Sequence, residues 1–228
     1  MVIGRPFRGG RSPPENRAGP AVYFVRMGDT TGGVDTSNYD KFQTGNPVVR
    51  RLIDGFYEVV EDTVTSIEAG SVLDAGCGEG ETLDRLAGVL PAKQAGIDLN
   101  RESVDFAAAR VPGAEIAQGD ILALDFADDA FDLVLCLEVL EHLPDPAAGL
   151  AELARVSARD IVISVPYEPW FRLGSLARGK YLSGWGNHPE HVNHWNPKTL
   201  AAFLAAQLEV VSVRSSMPWL VAHCRPRV

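Results

Sequence analysis

The sequence predicts a doubly wound α/β fold: a mostly parallel seven-stranded sheet with helices on both faces and an insertion after the fifth strand. Three observations predict it. Short apolar runs alternate with helical patterns from Ser71 to Val165. Several runs, Phe131–Leu137 above all, are almost continuously apolar, as parallel strands buried on both faces must be. The first run leads into a glycine-rich turn, "DAGCGEG", Asp74–Gly80. This architecture places its ligand crevice at such a turn.

The elements follow in order. Val48, Leu52, Phe56, Val59, Val60, Val64 and Ile67 recur at helical spacing, which predicts an amphipathic helix over 47–67. A strand over 71–75 and a helix over 82–90 flank the glycine turn. A strand over 95–99, a helix over 101–110 and a strand over 114–118 come next. The strand over 131–137 is followed by a helix over 146–156 and a strand over 160–165. From 167 to 196 the chain is rich in Gly, Trp and Tyr and loses its period, which predicts an irregular insertion. A helix over 197–206 then returns, with Asn196 as its cap and Pro197 at its first position. Strands over 209–213 and 219–223 close the sheet around a turn at 215–218.

The chain has 228 residues, the size of one well-buried domain. Its 21 basic and 30 acidic side chains give a net charge of −9, which argues against a nucleic-acid partner. The charge is uneven. Residues 1–27 carry Arg5, Arg8, Arg11, Arg17 and Arg26 against Glu15 alone, together with several prolines. They are expected to form a disordered basic arm. Residues 28–69 read as an N-terminal helical segment, and 70–228 as the main domain with its insertion. No apolar run reaches the ~20 residues of a membrane helix, and the start lacks a signal-type apolar core. Cys77, Cys136 and Cys224 have no metal-type or paired spacing and read as packing residues, consistent with a cytoplasmic protein.

The glycine turn fails two nucleotide fingerprints. The dinucleotide pattern needs a third glycine where Glu81 stands, and no Gly-Lys-Ser/Thr follows. Glu79 and Glu81 would also stand beside a pyrophosphate, where negative charge is unfavourable. A cationic ligand without phosphate suits such a turn better.

Here "VLDAGCGEG" resembles the first motif of the class I S-adenosylmethionine (SAM)-dependent methyltransferases, a Rossmann-like family. "GIDLN" supplies an acid, Asp98, at the end of the second strand. "AQGDI" supplies Asp120 after the third. "FDLVLCLEVLEHLPDP" is similar to the fourth-strand segment of small-molecule members related to the ubiquinone-pathway (type 11/12) methyltransferases. The resemblance covers Ser71–Pro166 well and the rest loosely.

The resemblance implies SAM as cofactor, S-adenosylhomocysteine (SAH) as product and a small-molecule acceptor in biosynthesis. It implies a cofactor surface of Asp74, Gly76, Cys77, Gly78, Asp98, Leu99, Asp120, Ile121 and Leu137. Asp98 would hold the ribose hydroxyls, because a carboxylate can accept from both at once. Asp120 would lie near the adenine amino group and Ile121 on the ring. The plain alternatives are a turn cap for Asp74, a helix cap for Asp120 and a solvated loop acid for Asp98.

An alcohol, phenol or amine acceptor must lose a proton, and histidine is the natural base near neutral pH. His142 follows the fourth strand. His188, His191 and His194 recur every third residue in "NHPEHVNHW". No metal is expected there: Pro189 breaks a regular helix, and i, i+3 spacing in an extended segment splays the rings. His142, His191 and His194 are the candidate catalytic residues. Tyr39, Tyr167, Trp170, Trp185, His188 and Trp195 are candidates for binding the acceptor. The readings left open are a nucleic-acid or protein methyltransferase, and a SAM-binding protein without catalysis. Oligomeric state is open too, with a homodimer compatible.

Overall fold

The computed structural model describes residues 46–168 and 192–227. The elements are α1 (Pro47–Thr65), β1 (Ser71–Ala75), α2 (Glu81–Arg85), β2 (Lys93–Asp98), α3 (Arg101–Arg110), β3 (Glu115–Gln118) and β4 (Phe131–Leu137). After a 3₁₀ turn, Leu140–His142, come α4 (Pro146–Val156), β5 (Ser157–Pro166), α5 (Pro197–Leu204), β6 (Leu208–Ser216) and β7 (Trp219–Pro226).

The helices begin where the sequence gives them reason to. Three start with an Asx residue before proline: Asn46–Pro47, Asp145–Pro146 and Asn196–Pro197. In each the side chain accepts from backbone N–H groups that would otherwise lack partners, and proline occupies a position that needs no donor. Asn196 and Thr199 complete a reciprocal capping box.

The seven strands form one sheet in the order β3-β2-β1-β4-β5-β7-β6. β7 runs antiparallel to both β5 and β6, and the other pairings are parallel. This is the predicted doubly wound sheet. Its chain reverses direction of travel between β1 and β4, so the carboxyl ends of these two strands flank the switch point.

Alternation along each central strand divides the interior into two cores. Leu73, Val134, Cys136, Ile161 and Ile163 pack with Leu150 and Leu153 of α4 and Leu200 and Leu204 of α5. Their neighbours Val72, Leu133, Leu135 and Val162 pack on the other face with Phe56 and Val60 of α1 and Leu83 of α2. A period of two in strands buried on both faces produces this split.

Several boundaries differ from the expectation. The buried stripe of α1 is Ile53, Phe56, Tyr57, Val60 and Val64, and Val48 at its start is exposed. α2 ends at Arg85, not near residue 90, because Gly88 interrupts the segment and turns follow. β5 begins at Ser157, where an irregularity in the β4 pairing lets Phe131 face Ser157. β6 and β7 both run longer than their apolar cores.

Candidate active site

The glycine loop leaves β1 at the centre of the sheet. Gly76, Gly78 and Gly80 all have positive φ, at 86°, 51° and 79°. Only glycine adopts this region without cost. Gly76 is needed for space as well: a Cβ there would run into the Cγ2 of Val139. Val139 follows β4, so this contact lies at the switch point itself.

The loop's amides turn toward β2. The N–H groups of Gly76 and Cys77 both donate to the carbonyl of Ile97, each at 2.8 Å. Gly78 N donates to Asp98 Oδ2 at 2.9 Å, and Gly80 N donates to the Cys77 carbonyl at 2.9 Å. A phosphate-binding loop presents such donors to its ligand. Here four are already engaged within the protein.

Asp98 is held from two sides, since its Oδ1 accepts from Asn100 N at 2.8 Å. An ionised carboxylate offers about four lone-pair sites. Two are used by backbone, which leaves one on each oxygen. Asp120 is exposed, and its Oδ1 accepts from Leu122 N at 2.9 Å, capping the turn after β3. Ile121 is buried beside it, whereas Leu99 leaves 56% of its surface exposed.

Asp74 is the most unusual of these groups. It is 1% exposed, and its Oδ2 has no hydrogen-bond partner among the described residues. It therefore does not cap the turn through that oxygen. Burial, and then the charge of Asp98, push its carboxyl up to about 7. Cys77 contributes backbone to the loop surface; its thiol is buried and packs toward Gly96. Burial pushes that thiol well above its usual range, with Asp74 and Asp98 adding to the effect.

Glu81 does not face the loop as the sequence suggested. Its carboxylate is bound by Arg85 Nε at 2.6 Å and by Arg110 at 2.8 Å, which ties α2 to α3.

Two further groups at the site were not foreseen. Tyr57 of α1 is buried with its hydroxyl 3.3 Å from Thr82 Oγ1 and its ring under the Arg85 guanidinium. Burial raises its phenol, and Asp74 and Glu81 act in the same direction. Its position one residue after Phe56 in the helical stripe is the signal that could have found it. Glu138, just past β4, has a φ of 59°, unusual for a residue with a side chain. Its N–H donates to Ser164, and its carboxylate accepts from the Ser164 hydroxyl at 2.8 Å. Only its place at the end of an apolar strand marks it in the sequence.

On the β4–β5 side, Leu137 is half-buried at the strand end. His142 is on the surface of the 3₁₀ turn, with Nε2 3.9 Å from Glu141 Oε1. His194 has Nδ1 3.9 Å from Glu168 Oε1. Tyr167 is half-buried and bridges to Trp195, whose ring packs against Phe203 in the core. Tyr39, Trp170, Trp185, His188 and His191 lie outside the described residues. Among the described residues, no three of His, Cys, Asp or Glu gather as ligands for a metal. No described helix is long and apolar enough to cross a membrane.

The geometry agrees with what the chain is similar to. Residues 73–162 match a family described as methyltransferase domain. A probable SAM-dependent methyltransferase of Mycobacterium tuberculosis is 32% identical over 155 residues, covering 68% of this chain and 52% of that protein. The ubiquinone biosynthesis O-methyltransferase of Thiobacillus denitrificans is 37% identical over 100 residues, 42% of this chain and 43% of that one. The chain thus spans about half the length, or less, of these relatives. A SAM-dependent methyltransferase of Aquifex aeolicus shares the fold, with a TM-score of 0.64 at 22% identity over 84% of this chain and 98% of its own. A loop whose amides are spent internally, two acids beneath it and a sheet of this order converge with the matched family: the chain carries a SAM-dependent methyltransferase domain.

Proposed function

We propose that the protein transfers the methyl group of SAM to a small-molecule acceptor, leaving SAH. One observation carries the reading. The amides of Gly76, Cys77, Gly78 and Gly80 are engaged within the protein, while Asp98, joined by Asp74 once ionised, puts negative potential beneath the loop. Such a site disfavours a pyrophosphate and favours a sulfonium and an ammonium.

The residues present fit this cofactor. The free lone pairs of Asp98 suit the two ribose hydroxyls. Leu99, with more than half its surface open, and Ile121 suit the two faces of the adenine, and Asp120 its amino group. Asp74, with an unpartnered buried oxygen, suits the cationic end. Gly76, Cys77 and Gly78 supply the floor, and Leu137 the wall toward the acceptor. Bound there, SAM supplies an electrophilic methyl group with a neutral thioether as leaving group. The protein's part is to hold cofactor and acceptor in line, which supplies much of the acceleration.

The acceptor half is assigned to the ends of β4 and β5. His142 and His194 are the described candidates for taking a proton from it. Each stands 3.9 Å from a glutamate oxygen, of Glu141 and of Glu168. Tyr167 and Trp195 border this side. His191 is assigned as a further candidate base, and His188, Tyr39, Trp170 and Trp185 as acceptor contacts, on the resemblance alone. The acidic charge favours a small-molecule acceptor over nucleic acid, and cysteines without paired spacing fit a cytoplasmic enzyme.

Calorimetric titration with SAM, SAH and NAD tests the cofactor. Binding of SAM and SAH but not NAD is expected; the reverse order overturns the reading. Incubation with methyl-labelled SAM and fractionated metabolites then tests transfer. Label in a small organic product is expected. Label in tRNA or protein instead would establish the alternative.

A further inference from the structure

One short strip of chain, residues 192–195, joins the turn that follows β4 to the residues just past β5. At one end, Glu168 N donates to the Trp195 carbonyl at 3.0 Å, and Trp195 bridges to Tyr167 just past β5. At the other end, Val192 N and Asn193 N both donate to the Glu141 carbonyl, at 2.9 and 3.2 Å. The side-chain amide of Asn193 adds two more bonds. Its Nδ2 donates to the Leu143 carbonyl at 2.8 Å and to the Leu140 carbonyl at 3.2 Å.

These bonds meet a specific need. The turn Leu140–His142 is a single 3₁₀ turn with no side-chain cap at its start. Its internal bonds are few: His142 N to Val139 O at 3.0 Å and Leu143 N to Leu140 O at 3.3 Å. Such a short turn has little stability of its own, and its end leaves carbonyls to be satisfied elsewhere. Leu140 and Glu141 are buried, so donors lost here cannot be replaced freely by water. A primary amide has two N–H groups and matches two carbonyls at once. A hydroxyl or a carboxylate does not.

We propose that Asn193 is a positioning residue for His142: its amide fixes the turn that presents this imidazole to the acceptor. The purpose rests on the methyltransferase reading, whereas the geometry does not. His194 is the next residue in the same strip, so Asn193 also sets the spacing between the two candidate bases. Asn193 touches neither cofactor nor reacting atoms; it acts through the turn.

The test is the imidazole spectrum of the histidine-labelled full chain with SAH, assigned through His142→Ala and His194→Ala. Asn193→Ala removes the amide. Asn193→Asp keeps its shape but replaces donors with acceptors. In both, the His142 Cε1–Hε1 signal should broaden through microsecond–millisecond exchange. The His223 signal should stay sharp, and SAH should bind within about twofold of the wild type. A sharp, unshifted His142 signal in Asn193→Asp overturns the proposal, and this variant carries the test if the alanine form does not fold. Equal broadening of His142 and His223 also overturns it, because that reports general loosening. Failure of the wild type to bind SAH overturns the methyltransferase reading and leaves the His142 comparison standing.

Discussion

Asp98 Oδ2 accepts the amide of Gly78 across 2.9 Å, from twenty positions further along the chain. The acid assigned to the ribose is thus also the clasp that shapes the glycine loop. Replacing Asp98 with alanine should weaken SAM binding by about 2 kcal/mol or more, about thirtyfold, since a charged acceptor is lost. Calorimetry measures this. The melting temperature should fall slightly as well, because Gly78 N loses its partner. Unchanged affinity would remove Asp98 from the cofactor site.

Cofactor affinity should rise with pH through about 7. Burial and then Asp98 raise the Asp74 carboxyl to about 7, so in the free protein it is largely neutral below that pH. Tyr57 from α1, Cys77 from the loop, Cys136 from β4 and Asp98 from β2 surround it, and each is neutral or negative there. Arg85, over the Tyr57 ring, is engaged by Glu81. A cationic cofactor favours the ionised form, so binding should release a proton. Titrations in two buffers of different ionisation enthalpy count that proton. Asp74→Asn should abolish the release.

The same group has the opposite effect on the free protein's stability. Its folded value lies above its unfolded one, near 3.8. The contribution is fully present below pH 3.8 and is lost as pH rises to about 7 and beyond. Melting curves of the wild type should therefore decline relative to Asp74→Asn across that window. Parallel curves would show that Asp74 is not buried as described.

Gly76→Ala should destabilise in two separable ways. A left-handed residue with a Cβ costs about 1–2 kcal/mol, and the contact with Val139 adds to it. Val139→Ala in the same chain should recover the second part and leave the first. Denaturant unfolding of the two single variants and the double variant measures both. Full recovery would mean that the backbone conformation carries no cost.

Asp160 binds His223 at 2.8 Å and Arg225 at 3.2 Å near the amino end of β5. The crevice proposed for the cofactor lies at the opposite ends of the strands. Asp160→Ala should cost about 1–3 kcal/mol in unfolding free energy, since it leaves the buried His223 imidazole without its partner, whereas Arg225 is half-exposed and can turn to water. SAM affinity should be unchanged. A parallel loss of affinity would connect the two ends of the sheet.

The central strands were legible because burial on both faces leaves no room for polar residues. Phe131–Leu137 shows this plainly. The caps at Asn196 and its proline were legible because they act within a few residues. What spans the chain was not. The bond from Asp98 to Gly78 and the one from Asn193 to Leu143 join segments that no local pattern relates. The 3₁₀ turn carrying His142 is too short to show a period. The phase of α1 was legible from Phe56, Val60 and Val64, which are buried; its edges were not, since Val48 is apolar yet exposed and Tyr57 is buried by its neighbours Phe56 and Thr82. Glu81 was misjudged because Arg110 is supplied by the next helix.

The spent amides of the glycine loop bear on how this site could change over time. Three of the four amides are held by main-chain carbonyls, where no single codon reaches them, and the fourth, that of Gly78, rests on the side chain of Asp98. Adding a third glycine at Glu81 would restore the appearance of a dinucleotide loop and free none of the donors. It would also release Arg85 and Arg110 from the acid that joins α2 to α3. Acceptor choice can drift one side chain at a time along the ends of β4 and β5. A change of cofactor would require the loop to be re-laid against β2 as a whole.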